Sequence, residues 1–181
     1  MTFNEETLNK ETLYTGKLIN LERHEVRLYD GNHSIREIVH HAPVVGIQVI
    51  KDHKIILVKQ YRKAVEEAIL EVPAGLVEPE EDFLAAAKRE LAEETQLQGA
   101  KWKTLNHFYV SPGFLDEEIH MFSCREVTQL DNPPAQDDDE HVELVELSLA
   151  AAQQAVKDGL IRDMKTIYAI NQWEIEELRN E

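Results

Sequence analysis

From Leu18 to Tyr29 apolar and polar residues broadly alternate, and an extended pattern resumes from Ser34 to His40 after Asp30-Gly31. A period of two places successive side chains on opposite faces of a strand, and Asp-Gly suits a tight turn, so this stretch predicts a β-hairpin. Further strands are expected at Val44 to Ile50 and Lys54 to Gln60, parted by a polar Lys51-Asp52-His53 turn, and at Ala68 to Val72 before Pro73. The period then changes. Glu81 to Gln96 is a run of strong helix formers with Phe83, Leu84, Ala87 and Leu91 at helical spacing, which predicts an amphipathic helix whose other face is acidic. Lys103 to Val110 and Glu118 to Cys124 read as strands around a Ser111-Pro112-Gly113 turn, and a long polar loop follows from Asp131 to Asp139. Glu143 to Leu147 reads as a last strand. Ser148 is a fair N-cap for a helix ended by Gly159, and a terminal helix spans roughly Asp163 to Leu178. The order is strands, helix, strands, helices, without repeats, which predicts an α/β sandwich with residues 1–41 as an N-terminal appendage and 42–181 as the main domain.

Composition narrows the functions this fold can serve. The 19 basic and 35 acidic side chains leave a net charge of −16, which disfavours nucleic acid and anionic lipid as partners. An anionic substrate stays open, because divalent ions held by carboxylates can recruit phosphate oxygens. Most of the acidity reads as a solvated surface. Cys124 is the single cysteine, so no intrachain disulfide forms, and the longest apolar stretch, around Val44 to Ile50, is too short to cross a bilayer. A cytoplasmic protein is the expectation.

The chemistry sits on the acidic helix. Glu90, Glu93 and Glu94 lie at i, i+3 and i+4, so their carboxylates share one face, where like charges repel by a few tenths of a kcal/mol per pair. A merely solvated face tolerates that. The surrounding pattern argues against so plain a role: Gly75, five residues, Glu81, seven residues, Arg89-Glu90-Leu91, one residue, Glu93-Glu94, one residue, Gln96-Leu97.

This pattern resembles the Nudix box at every position except that Gln96 stands where the box has its second glycine. The resemblance implies a Nudix-type α/β/α sandwich with a mixed sheet, preceded by the N-terminal antiparallel β-hairpin. It also implies a pyrophosphohydrolase that uses Mg²⁺; Mn²⁺ stays open as an alternative ion. Hard divalent ions take oxygen ligands, so carboxylates one helical turn apart suit them. Glu90, Glu93 and Glu94 are the expected metal ligands, with the backbone carbonyl of Ala74 added by the resemblance. Arg89 is expected to reach Glu93 and fix its rotamer, and Glu81 to brace the loop against the helix. Gln96 falls where a left-handed helix end is expected, at a cost of roughly 1 kcal/mol for a residue with a Cβ, and it is not a ligand position.

Residues outside the box select the substrate. Pro112, in Ser111-Pro112-Gly113-Phe114, together with Gln60-Tyr61-Arg62 and Leu70-Glu71-Val72-Pro73-Ala74-Gly75, resembles the ADP-ribose pyrophosphatase subgroup. That resemblance implies ADP-ribose as substrate and AMP with ribose 5-phosphate as products. Arg62 would bind phosphate or ribose, Arg36 and Glu37 would approach the adenine, and the protein would be a homodimer joined through its N-terminal strands. Within Asp137-Asp138-Asp139-Glu140-His141, Glu140 is the candidate base that takes a proton from the attacking water, with Asp138 as the alternative. His40, His41 and His53 receive no role. Two other readings stay open: a Nudix enzyme for another nucleoside diphosphate sugar or an oxidised nucleotide, and a sensor that binds ADP-ribose without cleaving it.

Overall fold

The computed structural model describes residues 4–134 and 142–180. The described strands and helices are β1 (Glu6–Thr15), β2 (Ile19–Arg27), β3 (His33–His41), β4 (Val44–Lys51), β5 (Lys54–Arg62), β6 (Glu67–Glu71), β7 (Ala74–Leu76), α1 (Phe83–Thr95), β8 (Leu97–Tyr109), β9 (Glu118–Gln129), β10 (Glu143–Ser148), α2 (Leu149–Lys157) and α3 (Met164–Asn180). They fall into two compact units. The first takes in the chain through Pro43 together with Phe108–Ile119, and the second Val44–His107 with the described residues from His120 onward.

The first unit contains an antiparallel sheet in the order β1-β2-β3. The expected hairpin is its β2–β3 half. Leu28 N–H donates to the Asn32 carbonyl at 2.8 Å, and the Asp30 side chain accepts from the Asn32 backbone N–H at 3.0 Å, which closes the turn around Gly31 at φ 85. Strand β1 has no signature in the hydrophobic pattern, because all but one of its residues are exposed. It is held instead by its backbone ladder and by ion pairs across β2, such as Arg27 to Glu6 at 2.9 Å and Lys10 to Glu22 at 3.0 Å.

The second unit holds a seven-stranded sheet with a central path β10-β5-β4-β9-β8, to which β6 adds beside β5 and β7 beside β4. Alternation along β4 explains how both faces are covered. Val45, Ile47 and Val49 share one face and pack with Ala86, Ala87 and Leu91 of α1 and with Phe122 of β9. Gln48 faces the other way. Its amide donates to the Ala169 carbonyl of α3 at 2.8 Å, and its oxygen accepts from the Ser123 hydroxyl at 2.7 Å, so a fully buried polar side chain is satisfied. This gives the expected sandwich of helix, sheet and helix.

Local chemistry sets the element ends. Asp52 and His53 both have positive φ, 49° and 57°, which closes the β4–β5 hairpin in two residues. Helix α1 begins two residues later than the expected Glu81, because the Asp82 carboxylate caps it by accepting from Leu84 N–H at 3.0 Å and Ala85 N–H at 3.2 Å. Gln96 ends α1 with φ 59 and ψ 22, the left-handed conformation that its place in the box implies. The chain then enters β8 at once, earlier than the expected Lys103. Ser148 caps α2 through Ala151 N–H at 3.3 Å, and Gly159 at φ 73 follows its end.

Candidate functional site

Strand β7 runs antiparallel to β4, with Ala74 opposite Gly46 and Gly75 opposite Val45, which fixes the start of the box against the sheet. Helix α1 packs its apolar face on the same sheet, so its acidic face meets the β7 segment. The contact is close at two points. Glu94, only 4% exposed, accepts a hydrogen bond from the Ala74 backbone N–H at 3.0 Å. Glu90 lays its carboxyl group over Gly75 so closely that a Cβ at residue 75 would overlap it. Gly75 has no positive φ, so close approach is what requires a glycine there.

Arg89 ties the carboxylates together. Its Nη1 donates to Glu90 Oε1 at 2.7 Å and to Glu93 Oε2 at 3.0 Å. Nε and Nη2 donate to the two oxygens of Glu81 at 3.0 and 2.9 Å, and Nη2 also reaches the Leu76 carbonyl at 2.9 Å. All five N–H donors of the guanidinium are thus engaged, which locks its plane. The Glu81 hydrogen bonds, followed by the other acidic neighbours, hold Arg89 more firmly protonated than an ordinary arginine despite its partial burial. In return the Arg89 hydrogen bonds keep the Glu81 carboxyl below its usual range. Glu81 also accepts from Glu78 N–H at 3.1 Å, which braces the loop that leads into the helix.

The result is a set of carboxylates with graded exposure: Glu94 buried, the Glu90 side chain 13% exposed and that of Glu93 36% exposed. The donor set consists of hard oxygens on one helix face, pressed against a glycine that leaves room for them, and this fits a divalent cation such as Mg²⁺. Ala74, Arg89, Glu90, Glu93 and Glu94 are thus brought together, Ala74 through its backbone N–H.

Arg36 and Pro112 both line a cavity of about 420 Å³ within the first unit, together with Ile38, Tyr109 and Phe114. There Arg36 makes a two-point ion pair with Glu5, Nε to Oε2 at 2.9 Å and Nη2 to Oε1 at 2.6 Å. Glu37 sits next to Arg36 on β3, so its side chain points to the opposite face of the sheet, and it does not line this cavity. Arg62 is held by Glu71 Oε2, with Nε and Nη2 both at 2.7 Å. Glu140 and its alternative Asp138 lie outside the described residues.

The contacts of two residues are not visible to sequence reasoning. Gly75 is visible as a motif position, but its packing on Glu90 is not. Glu71, whose side chain is 5% exposed, serves Arg62 on one oxygen and Lys165 Nζ on the other at 2.9 Å; Lys165 also donates to Asp163 at 3.0 Å. A glutamate in an apolar strand ending at Pro73 is the only signal that could have found it.

Comparison with known proteins matches two family models that meet near residue 40. Residues 40–168 match the family model described as the NUDIX domain, and residues 5–39 match the one described as the nucleoside diphosphate sugar hydrolase N-terminal domain. A Bacillus subtilis (strain 168) protein named ADP-ribose pyrophosphatase is 41% identical over 174 residues, covering 96% of this chain and 94% of its own. A Bacillus methanolicus protein named methanol dehydrogenase activator is 39% identical over 176 residues, covering 97% of this chain and 95% of its own. A crystal structure described as an ADP compounds hydrolase shares the fold, with a TM-score of 0.86 over 96% of this chain and 95% of that one at 21% identity.

Proposed function

The chain belongs to the Nudix family, and from that premise we propose that it hydrolyses the pyrophosphate bond of ADP-ribose to AMP and ribose 5-phosphate, with Mg²⁺ as the working ion. The observation that carries this reading is the cluster of Glu90, Glu93 and Glu94, cross-linked by Arg89 and seated on Ala74 and Gly75. The choice of ADP-ribose is supported by the relative of that name at 41% identity. The relative named methanol dehydrogenase activator has a name that specifies no substrate.

Glu90, Glu93 and Glu94 would hold the cation, with the Ala74 carbonyl as a further ligand. Bound there, a divalent cation draws the diphosphate oxygens to the helix and makes water a better nucleophile at neutral pH. The remaining work falls to the chain itself. Arg89 keeps the carboxylates of Glu90 and Glu93 at fixed rotamers, so the site needs little rearrangement when substrate arrives. Glu140, with Asp138 as the alternative, takes the proton of the attacking water. One P–O bond forms from that water, the bridging P–O bond breaks, and the leaving phosphate departs with the bridging oxygen. Arg62, aimed by Glu71, offers a planar cation to phosphate or ribose. Arg36 and Pro112 would receive the adenine end in the first unit's cavity, and Glu37 would act from the other face of β3.

A cytoplasmic homodimer is part of the same proposal. It is supported by the apolar side chains of Leu13, Tyr14, Leu18, Tyr29 and Ile35, all exposed on the first unit. Among the described residues, no helix is long and apolar enough to cross a membrane.

The test is hydrolysis by the purified protein of ADP-ribose, other nucleoside diphosphate sugars and oxidised nucleotides, with Mg²⁺ and with chelator. AMP release from ADP-ribose that chelator stops, at a higher kcat/KM than for the rest of the panel, is the expected result. A faster reaction with another compound would reassign the substrate, and binding without turnover would make the protein a sensor.

A further inference from the structure

Within the first unit, a second group of side chains has the composition and spacing of a metal site. Glu22 and His24 are two residues apart on β2, so they share a face of the sheet. His40 on β3 pairs with Asn20, and Ile38 pairs with Glu22, so His40 lies on that same face, diagonally across from Glu22. His24 Nε2 is 2.8 Å from Glu22 Oε2, and His40 Nε2 is 3.2 Å from the same oxygen. The three potential ligand atoms all fall within 4.8 Å of one another. Two ligands in a tetrahedral zinc site, each about 2.0–2.1 Å from the ion, are separated by roughly 3.3 Å. The side chains therefore need only small rotations to surround an ion.

Burial and outer contacts support the same reading. The side chains of Glu22 and His24 are 13% and 14% exposed, and that of His40 is 38% exposed. His40 Nδ1 lies 2.6 Å from Asp116 Oδ2, and the other oxygen of Asp116 accepts from the His41 backbone N–H at 2.9 Å. With a proton on Nδ1, shared with a carboxylate that is itself anchored, Nε2 would be the ligating atom once an ion replaced its 3.2 Å contact with Glu22. This is how ligating histidines are oriented in metal sites. Lys10 Nζ is 3.0 Å from Glu22 Oε1 and 3.2 Å from Oε2, so it would keep Oε1 and give up Oε2 when that oxygen turns to a cation.

We propose that Glu22, His24 and His40, with Asp116 as the outer partner of His40, form a Zn²⁺ site in the first unit, separate in ligand chemistry from the glutamates of α1. Two imidazoles and one carboxylate suit zinc and leave one coordination position for water, whereas an all-oxygen set suits Mg²⁺. The bound ion would pin β2 and β3 to the 111–117 turn that carries Asp116. The proposal stands on the geometry of the first unit and does not depend on which substrate is hydrolysed.

The experiment titrates Zn²⁺ into the full-length protein in excess Mg²⁺ and records zinc X-ray absorption at one equivalent, with Co²⁺ as a coloured substitute. The expected results are one equivalent bound, scattering from two imidazoles, and the intense visible bands of tetrahedral Co²⁺. The double variant His24→Ala/His40→Ala should lose all three signals. Because it also removes hydrogen bonds, Glu22→Gln and Asp116→Asn are titrated in parallel; Asp116→Asn should weaken zinc about 10–100-fold. The proposal is overturned if wild type binds no zinc under excess Mg²⁺, if the imidazole signal survives in the double variant, or if both single variants bind as tightly as wild type.

Discussion

Replacing Gly75 with alanine tests the site at its tightest point. The backbone at residue 75 is not in the left-handed region, so alanine meets no conformational penalty there. Its methyl group would, however, overlap the carboxyl carbon and both oxygens of Glu90. Real Cβ contacts essentially never fall below 3.0 Å, so the carboxylate must retreat by on the order of 1 Å. Glu90 is the end of a flexible side chain, and the retreat is cheap for folding: a loss of about 1 kcal/mol or less is expected. For catalysis the same shift is expensive. It pulls Glu90 off the 2.7 Å bond to Arg89, which also positions Glu93, and a 1 Å misplacement of such groups is worth about 100-fold in rate, or ~2.7 kcal/mol. The assay is AMP release from ADP-ribose across a range of Mg²⁺, with thermal unfolding measured on the same samples. Gly75→Ala should show kcat reduced about 100-fold, a raised Mg²⁺ requirement and a nearly unchanged Tm. Wild-type kcat and Mg²⁺ dependence would refute the claim that the carboxylate must lie over residue 75.

Other variants separate charge, conformation and pH. Glu94→Gln keeps an oxygen that can accept from Ala74 N–H, so the fold should persist while turnover drops by about 100-fold or more; a rate near wild type would remove Glu94 from the metal site. Gln96→Gly should stabilise the protein by about 0.5–1 kcal/mol in urea unfolding, because φ 59 suits glycine, and should leave activity unchanged; a loss of stability would contradict the assigned helix end. Glu176 concerns acid stability. Burial alone would raise its carboxyl, but hydrogen bonds from Lys103 at 2.8 Å and Arg125 at 2.9 Å outweigh burial and hold it below its ordinary value of 4.5. A carboxyl lowered by folding stabilises above its unfolded value and loses that contribution as pH falls through the folded value. Glu176→Gln should therefore cost about 1 kcal/mol at neutral pH, with the gap to wild type closing below about pH 4.5; a pH-independent gap would show that packing, not charge, is lost.

The elements that bury one apolar face were legible from residue order alone, since period two or 3.6 reports which side meets the core. Strands β2 and β3, helix α1 and the two C-terminal helices fall in this class, as does the spacing of Arg89, Glu90, Glu93 and Glu94, which a helix converts directly into one face; β4 and β5, buried on both faces, were legible instead as apolar runs bounded by turns. Strand β1 was not legible, because it is held by backbone bonds and by charge pairs with β2, and these leave no hydrophobic period. Nor was the closeness of Glu90 to Gly75, the buried Glu71 shared by Arg62 and Lys165, or the meeting of Glu22, His24, His40 and Asp116. Each joins residues far apart in the chain or depends on strand register, and register is decided by how the sheet and helices pack. Local periodicity thus determined which elements form and where the reactive carboxylates stand on their helix. Only tertiary structure decided which backbone they press against and which distant side chains hold them there, because those contacts arise when separate elements bury their faces together.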